Sequence, residues 1–598
     1  MSSFFISPND PKFGQEIASR LAFTADATTW SGSALAGSYA LARVDQEELW
    51  SPAEDVETST SVIIGGRLAI SEDQWKHAET LPMRGGLAAR LILDAWKSDS
   101  SGLTALLNGA AAVAIFDPDS GLHLFTDCLG AYPVFLGSNG FLCSHPDVLA
   151  EAMKKAGTPV EIDHTSLAEC IATGTTSQPH SYWKQIRMLE PGAHYTWSGR
   201  ETIAPSQEFY WQPAFPSREE SDDTIVADLA SALKTAVKLR TNPRFGNTLV
   251  MLSGGADSRL ALFCADSPSN VDCVSVCDEP NAETETAAAL AKAAGASHEI
   301  LRRTPDYYGE NAERAVRVGA GMHSLIDAHF AGFRDQLMGR DPGVMLTGCY
   351  ADYLLKGLSL NRRYKRLFGK ALPVYRQSDF SFQYYHPHCE LGEAWQSRVM
   401  DRLGERYREE LRGQYHCREL EMEDLRIRPL AREADSLGRM HSWRTLPWDP
   451  FFADAEIADV CARMSARQKR NGIVFSQAVA RAIGPVGSAI RNNNYGTRLD
   501  AGEFGRITGF LVGVVKRKLG LEKSGGTSGS WPNWHQYAES SEAIQRLWSS
   551  PSSADRQFLT EVMGDDPWKT EVAEWARHRP LVFLRLLTVK IWLGQQNH

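Results

Sequence analysis

The hydrophobic pattern between Thr248 and Cys264 predicts a buried strand, a tight turn and a helix. The apolar run TLVML ends at Leu252 and is followed by Ser253 and two glycines. Apolar residues then return at helical spacing, at Leu260, Ala261, Phe263 and Cys264. Glycine allows a sharp change of backbone direction. The sequence therefore predicts that this strand leads directly into a helix N-terminus.

Further strand-like runs alternate with helical patterns along the next hundred residues. VDCVSVCD (Val271 to Asp278) is typical of a second buried strand, and a helix that ends at Gly295 follows it. GVMLTGCYADYLLKG (Gly343 to Gly357) predicts another strand, a loop and an acidic residue. Alternating strands and helices indicate a parallel sheet, which binds its ligand at the carboxyl ends of the strands.

A different pattern fills the first part of the chain. LLNGAAAVAIFDPDSGLHLFTDCLGAYPVFLG (Leu106 to Gly137) reads as three strands joined by turns at 117–121 and 129–130. We therefore predict a β-rich domain over residues 1–205 and an α/β domain over residues 206–598. The last hundred residues have mostly helical patterns.

Composition narrows the possible partners and compartment. The 598 residues carry a net charge of −10, which argues against nucleic acid as a partner. No apolar run reaches the roughly 18 residues of a membrane span, so we expect no stable membrane insertion. The ten cysteines form no Cys-x-x-Cys pair, and the start resembles no signal peptide. These features favour a cytoplasmic protein with reduced thiols.

The predicted turn after the first strand has the chemistry of an anion site. Free N–H groups and the helix dipole favour an anion at a helix N-terminus, and Ser253 and Ser258 add hydroxyl donors. The carboxylate of Asp257 repels phosphate unless Mg²⁺ bridges the two. No lysine follows the glycines, so the pattern differs from a P-loop.

SGGADS (Ser253 to Ser258) resembles the Ser-Gly-Gly-x-Asp-Ser pyrophosphate loop of ATP-pyrophosphatases, and the chain resembles the asparagine synthetase superfamily. These enzymes adenylate a carboxylate with ATP, release pyrophosphate and let an amine attack the acyl-adenylate. The resemblance implies an adenine-nucleotide α-hydrolase-like synthetase domain. It implies adenine contacts near Ser275 and Val276, and Mg²⁺ on Asp257 and Asp352. The ATP and pyrophosphate ligands that it implies are Leu252, Ser253, Gly254, Gly255, Asp257, Ser258 and Gly348.

Two departures from the family pattern concern catalysis. The second glycine of the family's Leu-Ser-Gly-x-Gly-x-Asp-Glu segment is Tyr350 in this chain. Its phenol is either a proton acceptor or a packing residue. The position of the family lysine that steadies the transition state falls on Gly472, and the nearest cations are Lys469 and Arg470.

The N-terminal part resembles a glutaminase-type αββα sandwich, with Asp127, Gly130 and Pro133 aligned. A working glutaminase uses a cysteine at residue 2 to attack the amide carbon. This chain has Ser2, so the resemblance implies a degenerate domain that serves as scaffold or docking surface.

Without ammonia from glutamine, the attacking amine must belong to the substrate. Arg259 and the C-terminal region (Ser541 to Gln596) are most similar to lasso peptide macrolactam cyclases. The resemblance implies a precursor peptide as substrate, with a leader peptidase and a leader-recognition protein as partners. A small-molecule amide or lactam synthetase and a non-catalytic ATP-binding scaffold remain the alternatives.

Overall fold

A computed structural model gives the fold of the chain. It describes residues 2–98, 100–198, 204–214, 218–357, 362–367, 370–377, 389–406, 430, 439–492, 496–518 and 529–596.

Two antiparallel sheets form the centre of the N-terminal part. Their strands are β1 (Ser2–Ser7), β2 (Thr28–Ala34), β3 (Gly37–Arg43), β4 (Ala53–Asp55), β5 (Thr60–Gly66), β6 (Arg84–Gly85), β7 (Ala111–Asp117), β8 (Gly121–Thr126), β9 (Phe135–Gly137), β10 (Leu142–Cys143), β11 (Ile186–Met188), β12 (Ala193–Trp197) and β13 (Ser206–Phe209). One sheet has the order β11-β9-β10-β1-β3-β2, and the other has the order β13-β12-β8-β7-β5-β4-β6. The helices of this part are Phe13–Leu21, Glu47–Trp50, Glu72–Thr80, Leu87–Ser98, Ser100–Leu103, Pro146–Lys155 and His164–Thr173.

The two sheets pack face to face, with β1 against β5. At Gly65 the rings of Phe4 and Tyr132 take the place of a side chain, because an added Cβ would lie only 2.7 and 2.8 Å from their nearest atoms. The helix Phe13–Leu21 covers the outer face of one sheet, and the helix Leu87–Ser98 covers the other. The result is the four-layer αββα sandwich that the sequence predicts.

A five-stranded parallel sheet forms the centre of the second part. Its strands are β14 (Asn247–Met251), β15 (Asp272–Cys277), β16 (Ser297–Arg302), β17 (Pro342–Leu346) and β20 (Trp448–Asp449), in the order β16-β15-β14-β17-β20. β18 (Arg362–Leu367) and β19 (Lys370–Gln377) form a separate hairpin. The sheet grows from β14 first to one side and then to the other. The carboxyl ends of β14 and β17 therefore border a crevice of the kind that binds ligands in α/β sheets.

Helices surround this sheet and form most of the C-terminal region. They are Asp222–Arg240, Ala256–Phe263, Ala282–Ala294, Tyr307–Glu310, Ala312–Gly319, Arg334–Met338, Ala351–Leu355, Glu393–Arg406, Arg439–Thr445, Ala455–Arg463, Ala466–Lys469, Ile473–Ala489, Glu503–Lys518, Trp534–Ser540, Glu542–Ser549, Ser553–Met563, Val572–His578 and Pro580–Gln596. Short 3₁₀ turns lie at Thr104–Leu106, Pro243–Phe245, Pro268–Asn270, Leu325–Asp327, Ala331–Phe333, Arg470–Gly472 and Pro567–Lys569. Among the described helices, none is both long and apolar enough to cross a membrane.

The two parts share a large buried interface. The buried guanidinium of Arg67 donates to the carbonyl of Gly343 at 2.7 Å, and that of Arg444 donates to the carbonyl of Ser144 at 2.7 Å. In the last helix, Trp592 Nε1 donates to Asp147 at 3.0 Å.

Four buried rings, which we name the aromatic column, also cross this interface. Tyr132 lies 5.2 Å from Trp443, Trp443 lies 4.9 Å from Trp448, and Trp448 lies 6.3 Å from Tyr350 (centroid distances). The Tyr132 hydroxyl donates to the carbonyl of Ser2 at 2.9 Å. The column therefore runs from residue 2 to the loop after β17.

The predicted fold class is confirmed: an α/β protein with an antiparallel N-terminal sandwich and a parallel-sheet domain followed by helices. The division between residues 205 and 206 stays a prediction.

Candidate active site

The predicted phosphate loop lies between β14 and the helix Ala256–Phe263. Two of its hydroxyls shape the loop. Ser258 Oγ accepts a hydrogen bond from the Ser253 N–H at 2.9 Å and lies 2.9 Å from Ser253 Oγ. Ser253 Oγ in turn accepts from the Gly255 N–H at 3.2 Å. The helix begins after Gly255, and no side chain caps its N-terminus. The first backbone N–H groups of the helix therefore point toward the phosphate loop without a capping side chain.

The buried side chain of Arg259 holds the phosphate loop in place from the protein interior. Its guanidinium donates to the carbonyls of Gly254 (3.1 Å), Gly487 (3.0 Å) and Ile490 (2.7 Å). Burial lowers the pKa of Arg259 to about 10, which still leaves it charged near neutral pH. The side chain therefore ties the phosphate loop to the end of the helix Ile473–Ala489, a role that the sequence pattern did not reveal.

A second loop, after β17, lies directly against the first. At Gly348 an added Cβ would lie 2.5 Å from the Cβ of Asp257, so glycine is needed for the close approach of the loops. Tyr350 has φ +77°, in the left-handed region where a non-glycine residue costs about 1–2 kcal/mol. This conformation explains why the family pattern has glycine at the position of Tyr350. The helix Ala351–Leu355 then places Asp352 in its first turn.

The two predicted metal ligands, Asp257 and Asp352, are brought together by these loops. Lys356 Nζ lies 2.8 Å from Asp257 Oδ2 and 3.0 Å from Asp352 Oδ1. We name these three residues the Asp–Lys–Asp cluster. The sequence prediction missed Lys356, although its spacing of four residues from Asp352 on a helix is a signal of an ion pair.

The cluster perturbs its own ionisation. Burial raises the pKa of Asp257 above its ordinary value and Asp352 adds to this, while Lys356 opposes both. Burial disfavours the charged form of Lys356, but the two carboxylates outweigh it and raise the pKa of the ammonium. Lys356 therefore stays protonated at physiological pH.

The cluster has the donor set of a Mg²⁺ site. Asp257 Oδ1 is buried and has no hydrogen-bond partner, so one carboxylate oxygen is available to a cation. Mg²⁺ is commonly held by one or two carboxylates together with substrate phosphates. Among the described residues, no group of three or more His, Cys, Asp or Glu side chains suits a metal. The pair Asp257 and Asp352 thus fits a cation that arrives with a polyphosphate.

Tyr350 is buried beside this cluster. Its ring packs on Trp448, and Trp448 Nε1 donates to Thr347 Oγ1 at 2.9 Å. Thr347 Oγ1 also lies 2.8 Å from Cys349 Sγ. The ring of Tyr350 therefore packs in the interior two positions before Asp352, and its role as a proton acceptor stays a prediction.

Lys469 is buried at the end of the short helix Ala466–Lys469. Three residues later, Gly472 has φ +60° and lies against the stem of Lys356, since an added Cβ would lie 3.0 Å from Lys356 Cγ. The turn after Lys469 therefore borders the Asp–Lys–Asp cluster, and the predicted role of Lys469 stays a prediction.

The predicted adenine-binding residues lie on β15, next to the phosphate loop. The Ser275 hydroxyl donates to the carbonyl of Leu252 at 2.6 Å and lies 2.8 Å from His298 Nε2. Ser275 is buried and Val276 is half-buried. The side chain of Ser275 thus links neighbouring strands, and the adenine contact near Ser275 and Val276 stays a prediction.

Residue 2, where the resemblance to a glutaminase predicts a nucleophile, is held in place by hydrogen bonds. Ser2 is buried on β1, and its hydroxyl accepts from the Gly66 N–H at 2.8 Å and lies 3.4 Å from an Arg43 nitrogen. The aligned Asp127 has a structural role in a turn, because its carboxylate accepts from the N–H groups of Leu129, Ala131 and Tyr132 at 2.8–3.1 Å. The motif around Asp127 thus preserves a turn of the sandwich.

The fold and the site are those of a parallel-sheet domain with a candidate phosphate loop, attached to an αββα sandwich. Residues 228–482 match the family model of asparagine synthase, and residues 79–211 match that of a glutamine amidotransferase domain. Together the matches support the asparagine synthetase superfamily, and the first supports an ATP-dependent amide-forming ligase. The first match includes the whole Asp–Lys–Asp cluster, whereas the second begins after Ser2. No curated protein matches the chain.

We predict that Ser2 has a structural role and no glutaminase role. Purified protein should release no glutamate from glutamine. Ser2→Ala should lower the free energy of unfolding by about 1 kcal/mol, because the buried Gly66 N–H loses its acceptor. Chemical denaturation and a glutamate assay measure the two effects.

The neighbouring hydroxyl provides a matched control. Ser3 Oγ is also buried but has no hydrogen-bond partner, so Ser3→Ala should leave stability unchanged or raise it. Glutamate release that disappears in Ser2→Ala would show that the glutaminase chemistry survives.

Proposed function

We propose that the protein is an ATP-dependent lasso peptide cyclase. It adenylates an Asp or Glu side-chain carboxylate of a precursor peptide and closes a macrolactam with the peptide's α-amine, releasing AMP and pyrophosphate. The observation that carries the adenylation step is the meeting of Asp257 and Asp352 at the crevice between β14 and β17.

The residues of the phosphate loop bind and orient the nucleotide. The N–H groups at the start of the helix Ala256–Phe263 face the phosphates, and Arg259 keeps the loop in place from the buried side. Asp257 and Asp352 would hold Mg²⁺, which when bound would supply positive charge to neutralise the leaving pyrophosphate. The substrate carboxylate attacks the α-phosphorus, and the bond between the α- and β-phosphates breaks.

The packing of the N-terminal domain bears on the source of the attacking amine. Ser2 is engaged in hydrogen bonds, and the aromatic column fills the space that links it to Tyr350. An amine made at residue 2 would meet four buried rings on this line. These observations support a nucleophile that arrives as part of the substrate, as the α-amine of a peptide does.

Two side chains are proposed to serve the amide-forming step. The α-amine must be neutral to attack, so it needs a proton acceptor, and Tyr350 is our candidate. Lys469 is our candidate for the cation that steadies the negative charge of the transition state. Positioning of the folded peptide supplies much of the remaining rate, since amine and acyl-adenylate belong to one molecule.

The proposed cyclase acts in the cytoplasm with two partners. A leader peptidase frees the α-amine of the precursor, and a leader-recognition protein delivers it. The degenerate sandwich offers a surface for such proteins, because it no longer has a reaction of its own.

The main experiment follows the nucleotide and the peptide together. The protein is incubated with ATP, Mg²⁺, a leader peptidase and candidate precursor peptides encoded near its gene. We expect AMP and pyrophosphate, and a peptide lighter by one water that has no free α-amine on fragmentation. The reaction without peptide is the control and should yield little AMP.

Other products would change the assignment in defined ways. ADP and phosphate would contradict the pyrophosphatase chemistry. Amide formation on a small amino acid derivative, with the peptide untouched, would favour the small-molecule synthetase. Nucleotide binding without any turnover would favour the scaffold.

We predict that Asp257→Asn and Asp352→Asn each reduce turnover at least about 100-fold, because each removes one charge from the site that offsets the leaving group. Circular dichroism should stay unchanged. Asp335→Asn is the control, since that side chain is 87% exposed and precedes β17. Near-normal turnover in either site variant would remove that residue from the proposed Mg²⁺ site.

We predict that Tyr350→Phe lowers the rate of amide formation by about 100-fold, as loss of a general base does. The ring keeps its contact with Trp448, so stability should change little. Tyr353→Phe, in the short helix that follows Tyr350, is the control and should react within about twofold of the wild-type rate. If Tyr350→Phe is equally active, the residue has a packing role.

A further inference from the structure

We propose that Lys356 is a built-in counter-ion of the Mg²⁺ site, which an incoming divalent cation must displace. The inference rests on the proposed function only in taking Asp257 and Asp352 as the cation ligands. It assigns this lysine a regulatory role: it keeps the site closed to metal until the nucleotide arrives.

The position of the Lys356 ammonium supports its role as a counter-ion. Lys356 Nζ lies within 3.0 Å of one oxygen from each carboxylate, so it stands between the two ligands that a metal would bridge. The second oxygen of Asp257 is buried and unpartnered. A single ammonium thus leaves the ligand set incompletely satisfied.

The two negative charges of Asp257 and Asp352 need a positive partner. Gly348 brings the two loops into contact at Asp257, which places two negative charges on one small crevice. Two carboxylates that contact the same ammonium are close enough to repel each other strongly in a partly buried site. The lysine therefore supplies the positive charge that allows the loops to pack when no metal is bound.

The side chain of Lys356 can move away from the two carboxylates. Its stem lies along Gly472 and the ring of Phe475, whose centroid is 5.1 Å from Nζ. The side chain is 24% exposed, and that of Asp352 is 60% exposed. A flexible four-carbon stem that reaches solvent can swing outward, whereas a cation at the same carboxylates would repel its ammonium.

Displacement has a measurable consequence for metal affinity. A metal that enters the free protein must remove an ion pair, so the lysine weakens metal binding. Metal that arrives on a polyphosphate brings new negative charge, to which the freed ammonium can turn. The lysine thus favours the metal–nucleotide complex over the free metal.

The test measures Mn²⁺ binding without nucleotide or peptide, by the loss of the free Mn²⁺ signal in electron paramagnetic resonance. Lys356→Met keeps most of the stem and removes the charge. We expect the variant to bind one Mn²⁺ at least about fivefold more tightly than the wild type, because no ammonium opposes the cation. Its Tm should fall without metal and recover more on Mn²⁺ addition than that of the wild type.

Three further variants make the result specific. Lys356→Gln repeats the loss of charge with a polar side chain and decides the question if the Met variant folds poorly. Asp257→Asn in the Lys356→Met background should abolish the gain. Lys569→Met is the matched control, because Lys569 also pairs with an aspartate four residues before it, Asp565, at an exposed site.

The outcomes separate this proposal from the proposed function. Unchanged or weaker Mn²⁺ binding in both Lys356→Met and Lys356→Gln would overturn the counter-ion role, and the AMP assay would still stand by itself. Conversely, a protein that makes no amide but binds Mn²⁺ more tightly without Lys356 would retain the counter-ion and lose the cyclase assignment.

Discussion

The contact between the two loops at Gly348 and Asp257 is the constraint on which the site depends. A β-carbon at Gly348 would overlap that of Asp257, so the loops after β14 and β17 can meet only because one residue lacks a side chain. Their meeting brings the carboxylates of Asp257 and Asp352 together, at an electrostatic cost. Lys356 offsets that cost, and Arg259 holds the first loop from its buried side. The chemistry proposed for this crevice therefore depends on how closely the two loops pack.

Much of this arrangement could be predicted from the sequence. The strand before Ser253, the helix after Gly255 and the joining of Asp257 with Asp352 follow from hydrophobic periodicity and from the resemblance of the two loops. Lys356 escaped, because its pairing with a residue 99 positions earlier depends on how the loops pack. The left-handed backbone of Tyr350 escaped as well, since a phenol at a glycine position suggests chemistry before it suggests strain.

In the N-terminal domain, aligned residues have structural partners that do not depend on any reaction. Asp127 keeps its place because three backbone N–H groups need its carboxylate, whatever happens at residue 2. Ser2 likewise has a backbone partner in Gly66. The pattern of matched residues therefore indicated the fold of this domain correctly, and the loss of its glutaminase activity stays a prediction.

The aromatic column makes the N-terminal domain a structural part of the synthetase-like domain. Tyr132 belongs to the sandwich, whereas Trp443, Trp448 and Tyr350 belong to the synthetase part, and every ring is buried by its neighbours. Deletion of the N-terminal domain would remove Tyr132 from the ring of Trp443 and would uncover the end of the stack that leads to Tyr350. The sandwich thus supplies part of the interior of the neighbouring domain, whatever chemistry it has of its own.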